Sequence, residues 1–237
     1  VIAGAGSGKT RTLTWRVARL LADGVPPQAI LLLTFTNKAA REMLARAAEA
    51  GRVDARQLTG GTFHHVAHQV LREHAGELGY ARGYSILDRE DARDVMTAAI
   101  ADCGLGVGAR RFPKADVLVD LVSMAVNTQT PLDEVLAARR PQFAPLADEV
   151  LRVARRYAER KHAMNAMDFD DLLMNWKVLL AEREPVRRAL AERFRHVLVD
   201  EYQDTNRLQG DVVDLVASAH RNLCVVGDDA QSIYSFR

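Results

Sequence analysis

Apolar and polar positions change their spacing several times along the 237 residues, and each change marks a different element. Val1-Ile2-Ala3 reads as the end of a buried strand. After the loop AGAGSG, residues Lys9 to Ala22 carry Leu13, Val17, Leu20 and Leu21 at helical spacing. The continuous apolar run AILLLTF predicts a second buried strand, and Thr36 and Asn37 are capping-type residues ahead of a helix from Lys38 to Ala50. Strand, helix, strand, helix predicts an α/β fold whose parallel sheet is covered on both faces. Gly60-Gly61-Thr62-Phe63 then reads as a turn, and His64 to His74 as another helix.

From about Leu87 the pattern is helical alone. LDREDARDVMTAAIADCG, KADVLVDLVSMAV, PLDEVLAARR and ADEVLRVARRYAERKH each have helical periodicity and are separated by Gly or Pro breaks. MDFDDLLMNWKVLLAE and PVRRALAERF are two further helices, after which HVLVDE and NLCVVGDD resume the buried-strand pattern. The expected organisation is therefore an α/β domain in two parts, 1–86 and 164–237, interrupted by an all-α insertion over 87–163.

A hydrophobic content of 48% is enough for a substantial core. The formal net charge is +1, so no global field draws the chain to nucleic acid, and any such contact has to come from a local groove. Cys103 and Cys224 have no zinc-like or disulfide-framework spacing, which predicts a reducing, cytoplasmic setting. No apolar run is long enough to predict a membrane span, and the first residues lack the basic region of a signal peptide. The chain opens inside a strand pattern and reads as a trimmed piece of a longer protein.

Two stretches carry chemistry. Ala3-Gly4-Ala5-Gly6-Ser7-Gly8-Lys9-Thr10 follows a strand and opens a helix, the context a phosphate-binding loop requires. Glycines let backbone N–H groups turn toward phosphate oxygens, and the helix N-terminus adds partial positive charge. Lys9 can then reach the β and γ phosphates, and the Thr10 hydroxyl can ligate Mg2+. Ala3 stands where the general pattern has its first glycine. In VLVDEYQDT an apolar strand delivers Asp200 and Glu201 to its C-terminal end, where open α/β sheets bind ligands. Asp200 is suited to hold Mg2+ and Glu201 to orient and deprotonate an attacking water. Together the two stretches predict a magnesium-dependent NTPase whose halves are separated by the helical insertion.

AGAGSGKT, LLLTFTNKAAREM, GTFHH, MDFDDLL, VLVDEYQDT and VVGDDAQSIYSFR occur in the order and spacing of superfamily 1A helicases of the UvrD, Rep and PcrA type, and the chain resembles that family from end to end. The resemblance implies a RecA-like P-loop NTPase fold, with the first motor domain (1A) interrupted by a helical subdomain (1B). It further implies ATP and Mg2+ as ligands and ATP-driven 3′-to-5′ movement on single-stranded DNA with unwinding at a single-strand/duplex junction. By the same resemblance, Ala5, Gly6, Ser7, Gly8, Lys9 and Thr10 hold the nucleotide, Arg11 lies against adenine, and Gln231 senses the γ-phosphate. Phe35, Tyr234 and Phe236 match aromatics that stack on bases, and Phe236 replaces the usual tryptophan. Asn37, Thr62 and His64 match residues lining the strand path.

The family's upstream adenine-recognising glutamine is missing, as is the second RecA-like domain that supplies arginine fingers. An arginine finger accounts for roughly 10³ to 10⁵ in rate in related phosphoryl transfer, so the isolated chain is expected to bind nucleotide weakly and hydrolyse it slowly. Helicase-nucleases of the RecB or AddA kind share the same motifs. A non-catalytic nucleotide-dependent DNA-binding module is a third reading, against which stands the presence of Lys9, Thr10, Asp200, Glu201 and Gln231.

Three charged or titratable groupings remain. His64 and His68 have the i, i+4 spacing of a metal pair, but His65 stands where a zincin has its glutamate; the role of His65 is open. The acids of MDFDDLL are those of a capped, solvated helix start. Arg152, Arg155, Arg156, Arg160 and Lys161 recur along one helix, which reads either as a solvated face or as a surface for duplex DNA.

Overall fold

The computed structural model describes residue 1, residues 8–105 and residues 112–228. In chain order the elements are α1 (Lys9–Ala22), β1 (Ile30–Thr34), α2 (Asn37–Gly51), β2 (Thr59–Thr62) and α3 (Phe63–His74). There follow β3 (Ser85–Ile86), α4 (Arg89–Asp102), α5 (Ala115–Thr128), α6 (Leu132–Arg139), α7 (Ala147–Ala163) and β4 (Ala166–Met167). The chain continues through α8 (Phe169–Glu182), α9 (Glu184–Arg193), β5 (His196–Val199), α10 (Arg207–Ala217) and β6 (Leu223–Val225). It divides into two compact units, one of residues Val1–His74 with Trp176–Arg237 and one of Ala75–Asn175. No helix among the described residues is long and apolar enough to cross a membrane.

The first unit is α/β, as the sequence pattern predicts. Its sheet has the order β2-β1-β5-β6, and every pairing is parallel. All five positions of β1 are buried, which is why ILLLT is an uninterrupted apolar run. Ile30, Leu32 and Leu198 join Leu13, Val17 and Leu20 of α1 and Met43, Ala47 and Ala48 of α2 in one core cluster. Each fully buried Leu, Ile or Val contributes about 1.5–3 kcal/mol, enough for this layer to fix where α1 starts. Val1 donates its N–H to Val225 O at 2.8 Å and accepts from Gly227 N at 3.2 Å, so the first residue runs beside β6. Residues 2 and 3 of the expected first strand lie outside the described residues.

Two local expectations are corrected here. The stretch read as a turn at Gly60-Gly61-Thr62 is β2, paired with β1 in the register Leu32↔Gly60 and Leu33↔Gly61. A Cβ at position 60 would lie 2.7 Å from Leu32 O and 2.9 Å from Leu32 Cβ, so glycine is there for close approach and not for a bend. Helix α10 adds an element between β5 and β6, opened by a capping box in which Asn206 accepts from Gln209 N and Gln209 returns the bond.

The second unit is helical around Leu87, Val95, Met96, Leu118, Leu121, Leu136, Val150, Val153 and Tyr157. It is wider than 87–163 on both sides and is not helical alone: β3 pairs with β4 in parallel, Ser85 with Ala166 and Ile86 with Met167. Asn165 Oδ1 also accepts from Ala81 N at 2.8 Å, and the Tyr80 ring lies 4.7 Å from that of His162. These contacts tie residues 75–86 to the helices.

The basic stripe of α7 is mostly consumed inside this unit. Arg156 and Arg160 both grip Asp102, at 2.6 and 2.7 Å. Lys161 is buried, ion-paired with Asp168 and Asp171, so it does not belong to a solvated or DNA-facing surface. The acids of MDFDDLL are correspondingly not a solvated helix start. Asp168 and Asp171 cap each other's backbone N–H, Tyr157 donates to Asp168 at 2.8 Å, and Asn127 donates to Asp170 at 2.7 Å.

Candidate nucleotide site

The C-terminal ends of β1, β5 and β6 meet at one edge of the sheet. Asp200 N donates to Leu33 O and Val226 N to Val199 O, both at 2.9 Å, which sets the residues after each strand side by side. Gly8 precedes α1 at φ 88°, a left-handed conformation that glycine adopts without the steric cost of a Cβ. From there α1 runs away from the edge, and its first two residues, Lys9 and Thr10, turn toward the acids. Thr10 Oγ1 donates to Asp200 Oδ2 at 3.2 Å. Lys9 Nζ lies 3.8 Å from Glu201 Oε2 and 3.6 Å from Asp228 Oδ2.

This edge is electrostatically unusual. Lys9, Asp200 and Asp228 are all buried, and Lys9 Nζ has no hydrogen-bond acceptor among the described residues although charged acids surround it. An ammonium with three donors and only distant ion-pair partners is suited to receive the oxygens of an anionic ligand. Burial, and then the charge of Glu201, push the Asp200 carboxyl above the usual carboxylate range, against the opposing effects of the Glu201 N–H, the Thr10 hydroxyl and Lys9. Asp204 is raised for the same two leading reasons, and its Oδ1 has no hydrogen-bond partner among the described residues. No group of three or more His, Cys, Asp or Glu side chains converges as a metal cage among the described residues, and the oxygens that meet here as a cation would need them are the hydroxyl of Thr10 and the carboxylate of Asp200.

The predicted residues fall into four groups. Lys9, Thr10, Asp200 and Glu201 are brought together. Arg11 is exposed on the first turn of α1. Ala5, Gly6, Ser7, Gln231, Tyr234 and Phe236 lie outside the described residues. Phe35, Asn37, Thr62 and His64 follow or end β1 and β2, whose terminal residues Thr34 and Thr62 are in register, so these four share the sheet edge with Asp200. Phe35, Thr62 and His64 are half-buried and Asn37 is exposed; Thr62 Oγ1 accepts from His65 N at 3.2 Å and caps α3. His65 is exposed with its Nε2 3.1 Å from Gln69 Nε2, and His68 is lowered by burial and by Arg72 and His65.

Two further residues, Asp228 and Gln203, complete the site. Asp228 ends the apolar run LCVVG as Asp200 ends HVLV, so the same strand-then-acid signal marks both. Gln203 donates to Glu201 Oε2 at 2.6 Å and accepts from Asp228 N at 2.9 Å. Nothing in the residue pattern announces that second bond, because it runs to backbone.

Residues 1–237 match the model of the UvrD/REP helicase N-terminal domain. The chain is 37% identical over 239 residues to the ATP-dependent DNA helicase PcrA of Staphylococcus epidermidis, covering 100% of this chain and 32% of that protein. PcrA of Staphylococcus aureus strain NCTC 8325 is similar at the same identity and coverage. The chain thus spans about a third of the length of the curated relatives it matches.

Proposed function

Because the chain belongs to the UvrD/REP helicase N-terminal domain family, we propose that it is the nucleotide-binding motor portion of an ATP-dependent DNA helicase. The observation that carries this reading is the meeting of Lys9 and Thr10 with Asp200 and Glu201 at one sheet edge. The sheet unit then corresponds to the family's first RecA-like motor domain and the helical unit to its inserted subdomain.

In this reading Lys9 receives the β and γ phosphates of ATP, with backbone N–H groups of Ala5, Gly6, Ser7 and Gly8 around them. Arg11 lies against adenine, and Gln231 senses the γ-phosphate. Thr10 and Asp200 hold Mg2+, which when bound neutralises charge on the β and γ oxygens. Glu201 accepts the proton of the attacking water, and its neighbour Lys9 limits the build-up of negative charge around it. Phe35, Tyr234 and Phe236 stack on bases of single-stranded DNA, while Asn37, Thr62 and His64 contact its backbone. A second RecA-like domain supplies arginine fingers, and the complete motor moves 3′-to-5′ to open a single-strand/duplex junction.

The test uses the complete protein. Glu201→Gln cuts DNA-stimulated ATP turnover to a small residual rate while MgATP binding persists, and the unaltered protein displaces a strand from a 3′-tailed duplex in preference to a 5′-tailed one. Unchanged turnover in Glu201→Gln removes the assigned base, and a complete protein that binds no ATP removes the motor reading.

A further inference from the structure

Gln203 joins the two acidic turns of the site through a single side chain. Its Nε2 donates to Glu201 Oε2 at 2.6 Å, and its Oε1 accepts from the backbone N–H of Asp228 at 2.9 Å. The orientation of the amide is fixed by chemistry: a backbone N–H only donates and an ionised carboxylate only accepts, so the reverse arrangement would lose both bonds. The surrounding chain is shaped to admit it. A Cβ at Gly227 would lie 2.7 Å from Gln203 Oε1 and 3.3 Å from its backbone N, so a larger residue there would press on the amide. Tyr202 N donates to Val226 O at 2.9 Å, which fixes the backbone from which Gln203 reaches across.

Glu201 itself has φ 51° and ψ 46°, a left-handed conformation unfavourable for a residue with a long side chain. Such a conformation persists only where neighbours hold it. The bond from Gln203 and the ion pair with Lys9 both act on the same oxygen, Oε2. Lys9 also faces Asp228 Oδ2 at 3.6 Å, so Lys9, Glu201, Gln203 and Asp228 close a ring of polar contacts.

We propose that Gln203 is a positioning residue for ATP hydrolysis, orienting the Glu201 carboxylate and coupling it to the backbone at Asp228. This rests on the assignment of Glu201 as the base. Gln231 follows Asp228 by three positions in sequence, so a shift of that backbone reaches Glu201 through one amide. These two bonds act on the Glu201 carboxylate and on the Asp228 backbone, so their loss falls first on turnover.

The experiment measures steady-state ATP turnover of the complete protein with single-stranded DNA. Absence of turnover in the unaltered protein overturns the motor assignment and not the geometry of Gln203. Given turnover, Gln203→Ala lowers kcat about 10- to 100-fold, the scale of a misplaced catalytic group, with KM for ATP within about 3-fold. Gln203→Glu is nearly isosteric and keeps an acceptor for Asp228 N–H but sets a carboxylate against Glu201, so kcat falls at least as far. In a Glu201→Gln background, where no carboxylate remains to be oriented, Gln203→Ala changes the residual turnover by less than about 2-fold. Unaltered kcat in either single variant, a loss confined to KM, or an equal loss in both backgrounds overturns the proposal.

Discussion

Thr10 Oγ1 donates to Asp200 Oδ2 at 3.2 Å across 190 positions of chain. The hydroxyl proton thus occupies a carboxylate oxygen that the proposed cation also needs. Burial and Glu201 already hold the Asp200 carboxyl above its ordinary range, so an added positive charge stabilises the ionised form most at this position. Asp200→Ala and Thr10→Ala should each raise the Mg2+ concentration for half-maximal nucleotide binding at least about 10-fold, and Thr10→Ser should not. Titration of a fluorescent ATP analogue at graded Mg2+ checks this; a Mg2+ dependence unchanged in both alanine variants removes the pair from the metal site.

Lys9 is the cation facing Glu201 and Asp228 at the same edge. Removing it leaves Asp200, Glu201, Asp204 and Asp228 to repel a polyanionic ligand. Truncating one member of a buried charged set costs roughly 2–5 kcal/mol, so Lys9→Ala should weaken MgATP binding by about 30-fold or more. Isothermal titration calorimetry reads the loss directly. Affinity retained within about 3-fold would place the phosphates elsewhere.

The parts legible in the sequence are those where one physical requirement writes one pattern. A strand buried on both faces must be apolar throughout, so ILLLT announces β1, and an acid directly after such a run marks the edge where Lys9 and Asp200 meet. Where two requirements write the same residues, reading fails. Gly60-Gly61 satisfies a tight turn and a close-packed strand equally well, and only the 2.7 Å approach of Leu32 O separates them. Asp168 and Asp171 satisfy a helix cap, which hides that Lys161 from the preceding helix is buried against them. The bond that Gln203 accepts from Asp228 N is illegible for another reason, since it runs to backbone, which no side-chain pattern records.

The two glycines of β2 make a prediction with an internal control. At Gly60 an added Cβ meets backbone and Cβ of Leu32, which cannot move without disturbing β1. At Gly61 the nearest atom is His65 Cδ2 at 2.6 Å, in an exposed ring that can turn aside. Gly60→Ala should destabilise the sheet unit by about 1–3 kcal/mol and Gly61→Ala by less. Both tryptophans, Trp15 and Trp176, lie in that unit, so tryptophan fluorescence during urea unfolding follows it selectively. Equal effects at the two positions would contradict the close approach at Gly60.

The helical unit should become more stable in mild acid. Burial, and then the charge of Asp168, push the Asp171 carboxyl up to about 6 despite Lys161, whereas the unfolded chain keeps the ordinary value of 3.8. Asp168 moves the other way, since burial raises it but Lys161 and the hydrogen bonds it accepts together hold it low, and Asp102 is held low by Arg160 and Arg156, so neither titrates in either state between pH 7 and pH 5. Asp170 is raised by burial and adds in the same direction as Asp171. Across that window the folded unit therefore binds protons that the unfolded chain does not, and stability rises as pH falls and is lost as pH rises through about 6. Amide hydrogen exchange of α4, α5 and α7 at pH 5 and pH 7, corrected for intrinsic rates, should show greater protection at pH 5. Asp171→Asn should flatten most of that difference; a slope of opposite sign, or one unaffected by Asp171→Asn, would show that this carboxyl is ionised at ordinary pH like any other.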